Sequence, residues 1–148
     1  MARRVTVVPT IELYNIAEKE KIAIDYLDLG SFYGLYVSTK SLKKACVVLN
    51  KSLLGNERLL RCVLAHELGH HFRTVGISVS ATTIQPYYIP AKAEALADNW
   101  ALDFLVPKNQ LEDKLKQKYT IDDLAEFFYV EREFVWKQIE RIESNYML

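Results

Sequence analysis

Apolar residues recur along the chain with two different periods, and the alternation between them lays out the elements. After Pro9, Ile11, Tyr14, Ile16 and Ala17 repeat at roughly helical spacing, and proline suits a first helical turn, so a helix is expected over 9–20. Three short β-branched and aromatic runs follow, at 22–26, 32–38 and 45–50, the last ending at Asn50. Only Gly30-Ser31 and the stretch 38–42 interrupt them, and connections that short favour mainly antiparallel pairing. Leu60, Val63, Leu64 and Leu68 then repeat with helical period behind Asn56, a capping residue, and predict a helix to about Arg73. An irregular connection is expected over 74–90. The Ala- and Leu-rich segment 91–105 predicts a strong helix that stops at Val106-Pro107. Charged amphipathic segments at 108–118, 120–128 and 131–144 predict three more, with Thr120 and Asp123 placed as a partial capping box. The pattern is α+β: a small, mainly antiparallel sheet of about three strands near the front and helices elsewhere. It divides into a core over 1–107 and a helical extension over 108–148 that packs on it.

Composition changes this picture little. The 148 residues are 50% hydrophobic and 26% charged with a formal net charge of zero, which does not call for nucleic acid or a membrane surface as partner. The charge is uneven: residues 1–75 carry 11 Lys/Arg against 7 Asp/Glu, and 76–148 carry 8 against 12. No run reaches the roughly 20 apolar residues that span a bilayer. The opening "MARRVTVVPTIELYN" has too short an apolar stretch for a secretory signal, so a cytoplasmic location is expected, with Cys46 and Cys62 as reduced thiols.

The chemistry concentrates in "VLAHELGHHF", residues 63–72. On a helix, residues four apart lie one above the other, so His66 and His70 present both imidazoles to one ion. Glu67, offset by about 100°, reaches a water on that ion rather than the ion itself. Zinc held by two histidines and a third ligand lowers the pKa of bound water to about 7, and an adjacent carboxylate accepts its proton. Gly69 costs about 1 kcal/mol inside a helix, which is repaid if another chain segment or the substrate must pass close by. The third ligand is not His71, which points about 100° away from His70, and the chain has no other histidine. A carboxylate, a cysteine or water remains. The leading candidate is Glu94 in "AEALADNWALDFLVP", with Asp98 one turn later placed to hold the outer N–H of a liganding histidine. Two carboxylates among alanines and leucines call for a cation. Cys62, one turn before His66, reads instead as a small buried apolar side chain, and Cys46 likewise. Nitrogen and oxygen donors also accept divalent ions other than zinc.

The pairing of "LAHELGHHF" with "EALADNWALDFLVP", preceded by the strand "VVLNKSL", resembles the ImmA/IrrE family of zinc metallopeptidases over roughly residues 20–107 and more loosely beyond. Trp100 stands where that family usually has another aromatic, often phenylalanine. The resemblance implies that His66, His70 and Glu94 bind one zinc ion and that Glu67 is the catalytic base. It also implies a bacterial or prophage protein that cleaves a partner transcriptional repressor of a phage or mobile element, here in a stand-alone form without a DNA-binding domain of its own.

Further assignments are open. Tyr87 and Tyr88 are candidates to stabilise an oxyanion, against plain aromatic packing, which we favour. Arg73 is a weaker candidate, and the strand Val47 to Asn50 could offer an edge to an extended substrate. The tail could imitate a helix-turn-helix, but residues 120–143 carry 7 acidic and 3 basic side chains, which opposes phosphate contact. Two other functions compete with the peptidase: a metal-stabilised anti-repressor that sequesters a regulator without cutting it, and a hydrolase of small amides. Glu67 separates the first from a peptidase, since a purely structural ion needs no base.

Overall fold

The computed structural model describes residues 7–39, 44–74 and 91–146. Helix α1 (Thr10–Lys19) leads into strand β1 (Ile22–Leu27), then β2 (Gly34–Thr39) and β3 (Lys44–Asn50). A short 3-10 helix (Lys51–Gly55) precedes α2 (Glu57–Arg73), and α3 (Ala91–Leu105), α4 (Lys108–Lys116), α5 (Ile121–Phe128) and α6 (Arg132–Tyr146) follow. The fold is α+β, with three strands and helix limits close to those the apolar periods predict.

The sheet is mixed, in the order β1-β3-β2. β2 pairs antiparallel with β3 from Gly34 opposite Leu49 to Thr39 opposite Lys44, whereas β1 pairs parallel with β3 from Ile22 opposite Ala45 to Leu27 opposite Asn50. The short link between β1 and β2 therefore does not make them neighbours. Two features account for this. The most apolar strand takes the middle, with Val47 and Leu49 wholly buried. The link itself is tied over the end of that strand: the Asn50 side-chain amide donates to the carbonyls of Gly30 and Phe32, and the Asn50 backbone N–H donates to Tyr33. Gly30 makes the turn at φ +60°, its N–H donating to the Asp28 carboxylate. Asn50 also accepts from Ser52 N–H to start the 3-10 helix. The suggestion that Val47 to Asn50 offers a sheet edge is thus corrected: β3 is central, and among the described residues β1 and β2 are the edges.

Asn56 caps α2 by accepting from Leu59 N–H, and Leu60, Leu64, Ala65 and Leu68 bury its core face. The charged Arg61 is buried with them. The Arg61 guanidinium donates to the carbonyls of Val8 and Phe128 and to the Thr10 hydroxyl, which fastens the start of α1 and the end of α5 to α2. On α3, Ala93, Ala97 and Ala101 face inward, and among the described residues α2 and α3 make the most extensive helix contact. Thr120 and Asp123 form the full reciprocal capping box at the start of α5. One continuous apolar cluster joins Leu49 and Leu64 to Leu105, Leu124, Phe128 and Val135. The buried Gln138 of α6 donates to the Val106 carbonyl and to Asp103, which also pairs with Arg141 at 2.8 Å. These bonds hold α6 along α3. Among the described residues no helix is long and apolar enough to cross a membrane, and both cysteines are free thiols.

Candidate metal centre

The face shared by His66 and His70 on α2 opens toward the first turns of α3, where Glu94 reaches across. Its two carboxylate oxygens meet the two imidazoles separately: Oε2 lies 3.0 Å from His66 Nε2, and Oε1 lies 2.9 Å from His70 Nε2. One donor atom from each of the three residues falls within 4.8 Å of the others. Donors arranged tetrahedrally about zinc at its usual bond lengths sit about 3.3 Å apart, so small shifts of these side chains would enclose an ion. The donor set of two imidazoles and a carboxylate fits zinc and tolerates its neighbours in the divalent series.

The surroundings fix this arrangement. Asp98, one turn after Glu94, accepts from His66 Nδ1–H at 2.7 Å, so Nε2 is the nitrogen turned to the centre. Lys137 of α6 stands 3.3 Å behind Asp98. His70 Nδ1 is 3.4 Å from the Thr74 hydroxyl, which itself donates to the His70 carbonyl. The Tyr36 ring of β2 stacks on His70 at 6.5 Å between centroids. His71 points to the sheet instead, with Nδ1 2.8 Å from the Tyr36 hydroxyl and Nε2 3.3 Å from Glu20.

The helices can approach this closely because of Gly69. A Cβ there would stand 2.9 Å from the Ala97 Cα and 3.0 Å from the Ala97 carbonyl carbon. Ala97 lies between Glu94 and Asp98, so the crossing point of the helices is also where the carboxylates are aimed. The close passage anticipated from a glycine between two histidines is the passage of α3.

Glu67 lies on the other side, only 6% exposed, under Gly34 of β2, where a Cβ would fall 3.2 Å from Glu67 Oε1. Its Oε2 is buried without a hydrogen-bond partner among the described residues. Burial, opposed by His66 and His70, pushes this carboxyl up to about 7. Burial favours the neutral form of His66, but the hydrogen bonds to Asp98 and Glu94 override it and raise the ring to about 10. Those to His66 and His70 hold Glu94 well below the carboxylate range. Glu94 and Asp98 thus meet the two imidazoles where Lys137 touches only Asp98, and the remaining negative charge is balanced by protonating a histidine. A divalent cation answers the same demand.

The family description that matches this chain is the IrrE N-terminal-like domain, a peptidase family, and the match runs over residues 17–140. The chain belongs to that peptidase family. The matched stretch of this IrrE-like domain reaches well into α6 and so takes in Lys137 as well as the two ligand-bearing helices. No curated protein matches the chain.

The structure brings His66, Glu67, His70, Glu94 and Asp98 of the IrrE-like domain together. Arg73 is exposed at the end of α2, Tyr87 and Tyr88 lie outside the described residues, and Cys62 is buried in the core with its thiol pushed up to about 12 by burial. Thr74, Tyr36 and Lys137 were not singled out from the sequence. Asp98→Asn should weaken metal binding about 10- to 100-fold, because the amide no longer fixes the His66 tautomer. Competition with a chromogenic chelator measures this, and unchanged affinity would remove Asp98 from the site.

Proposed function

We propose that this domain is a zinc-dependent endopeptidase of the bacterial cytoplasm that cuts a protein partner, a helix-turn-helix transcriptional repressor of a phage or mobile element. The observation that carries the reading is the single Glu94 carboxylate meeting both imidazole Nε2 atoms, with Glu67 buried next to His66 in the chain and its Oε2 without a partner among the described residues. His66, His70 and Glu94 would hold the ion, whose Lewis acidity lowers the pKa of bound water to about 7 and polarises a carbonyl. Glu67 takes the proton of the attacking water and hands it to the leaving amine, and its burial beside the liganding histidines keeps bulk water from competing for that proton. Asp98 keeps His66 in the liganding tautomer. Strand β2, at the sheet edge with Gly34 on Glu67, offers its outer backbone N–H and C=O groups to an extended substrate segment, which lays a peptide bond beside the base. The acidic tail favours a basic protein surface over phosphate as its partner.

A structural ion in an anti-repressor would have no use for a buried carboxyl one residue from a liganding histidine, and that favours cutting over sequestration. The test is metal analysis of the purified protein followed by incubation with the repressor encoded beside it. One equivalent of zinc and a single cut in the repressor are expected. An intact repressor released from a stable complex would assign the sequestering role instead.

A further inference from the structure

A second concavity of about 620 Å³ lies next to the metal centre, between α2, the residue that leads into β2, and the start of α6. Its floor is apolar, with Leu59, Cys62 and Phe134, and its walls carry two large aromatic residues, Tyr33 and Trp136, that are 54% and 50% exposed. Single exposed apolar side chains are ordinary, but two large aromatics on one concave, apolar-based cleft form a surface suited to a ligand.

Its lining residues tie the cleft to the site. Leu59, Cys62 and His66 recur at spacings of three and four on α2 and so share one face of the helix. Lys137 lines the cleft and also contacts Asp98, the carboxylate that holds His66. Tyr33 immediately precedes Gly34, the residue of β2 that covers Glu67. A peptide lying along β2 beside Glu67 would therefore carry one of its side chains into this cleft.

The charges around it select what that side chain is. Its two cations are engaged, Arg132 with Asp122 at 3.1 Å and Lys137 with Asp98 at 3.3 Å. Its two acids, Glu131 and Glu133, enter no ion pair among the described residues. The free charge of the cleft is negative, and it sits over aromatic faces. A guanidinium is planar, weakly hydrated and stacks on such faces while donating to carboxylates.

We propose that this cleft is a substrate subsite for an arginine side chain, its stem between Tyr33 and Trp136 and its guanidinium at Glu131 and Glu133. The assignment rests on the endopeptidase reading for its substrate, but its test reads binding. Fluorescent hexapeptides of alanine carry arginine, citrulline, leucine or glutamate at each position in turn, and anisotropy reports their binding to zinc-loaded Glu67→Gln protein. Citrulline keeps the shape of arginine without its charge, so that comparison needs no further variant. At one position arginine should bind at least fivefold tighter than citrulline and more tightly than leucine or glutamate. The gap should close in the Glu131→Gln/Glu133→Gln variant, and Trp136→Ala should weaken both ligands. Equal binding of arginine and citrulline at every position, or tightest binding of leucine, overturns the subsite. Wild-type protein that leaves the repressor encoded beside it uncut while the arginine preference stands would instead defeat the peptidase reading.

Discussion

Glu67→Gln is expected to lower kcat/KM for peptide cleavage by about 10²- to 10⁴-fold, the usual contribution of a positioned general base, while the protein keeps its full complement of metal. Glutamine matches glutamate in size and fills the same space under Gly34, but it cannot accept a proton. The substitution also has a signature in stability that does not depend on activity. The folded carboxyl is raised from its ordinary 4.5 to about 7, chiefly by burial. A carboxyl raised on folding holds its proton in the folded chain after the unfolded chain has lost it. The contribution of Glu67 to the stability of the metal-free protein is then fully present below about 4.5 and is lost as pH climbs through 7. The glutamine variant has no such loss. Its denaturation midpoint, measured without metal, should gain on the wild type between those limits and stay ahead above them. Activity within tenfold of wild type would remove Glu67 as the base, and loss of the metal would make it a ligand.

How much of this was visible beforehand depends on how far apart in sequence the cooperating residues lie. The helices were legible because each buries one face, and the limits follow local signals such as the Asn56 cap and the Thr120–Asp123 box. His66 and His70 were legible for the same reason, since four residues apart on one helix is a local relation. Glu94 and Asp98 could be reached by elimination, because two carboxyl groups in an alanine-rich helix have few other uses. Strand order was not legible. It is decided by Asn50, which pins the link between β1 and β2 across the end of β3, and that link looks like an ordinary short connection in the sequence. Lys137 was hidden for a similar reason: it lies 39 residues after Asp98, in an amphipathic helix where a lysine ordinarily faces water. Arg61 shows the converse. It reads as a surface charge, yet it is 1% exposed because three groups from distant segments accept its protons.

Gly69→Ala sets two opposing effects against each other, and their sizes decide the outcome. Within a helix alanine is about 1 kcal/mol better than glycine, so on α2 alone the change would stabilise. The new Cβ, however, would meet the Ala97 Cα at 2.9 Å and the Ala97 carbonyl carbon at 3.0 Å, and these are backbone atoms that no rotamer change can move aside. The helices must separate, and overpacking of this kind costs about 1–3 kcal/mol. Ala97 sits between Glu94 and Asp98, so the displacement falls on the carboxylates that meet His66 and His70. A net loss of stability and a fall of at least tenfold in metal affinity are expected together, read by thermal denaturation and chelator competition. Gly55→Ala serves as the reference, because a Cβ there meets nothing within 4 Å, and its effect should stay within about 0.5 kcal/mol. If Gly69→Ala instead raised stability and left metal affinity intact, α3 would not pass so close to α2, and Glu94 could not reach both imidazoles.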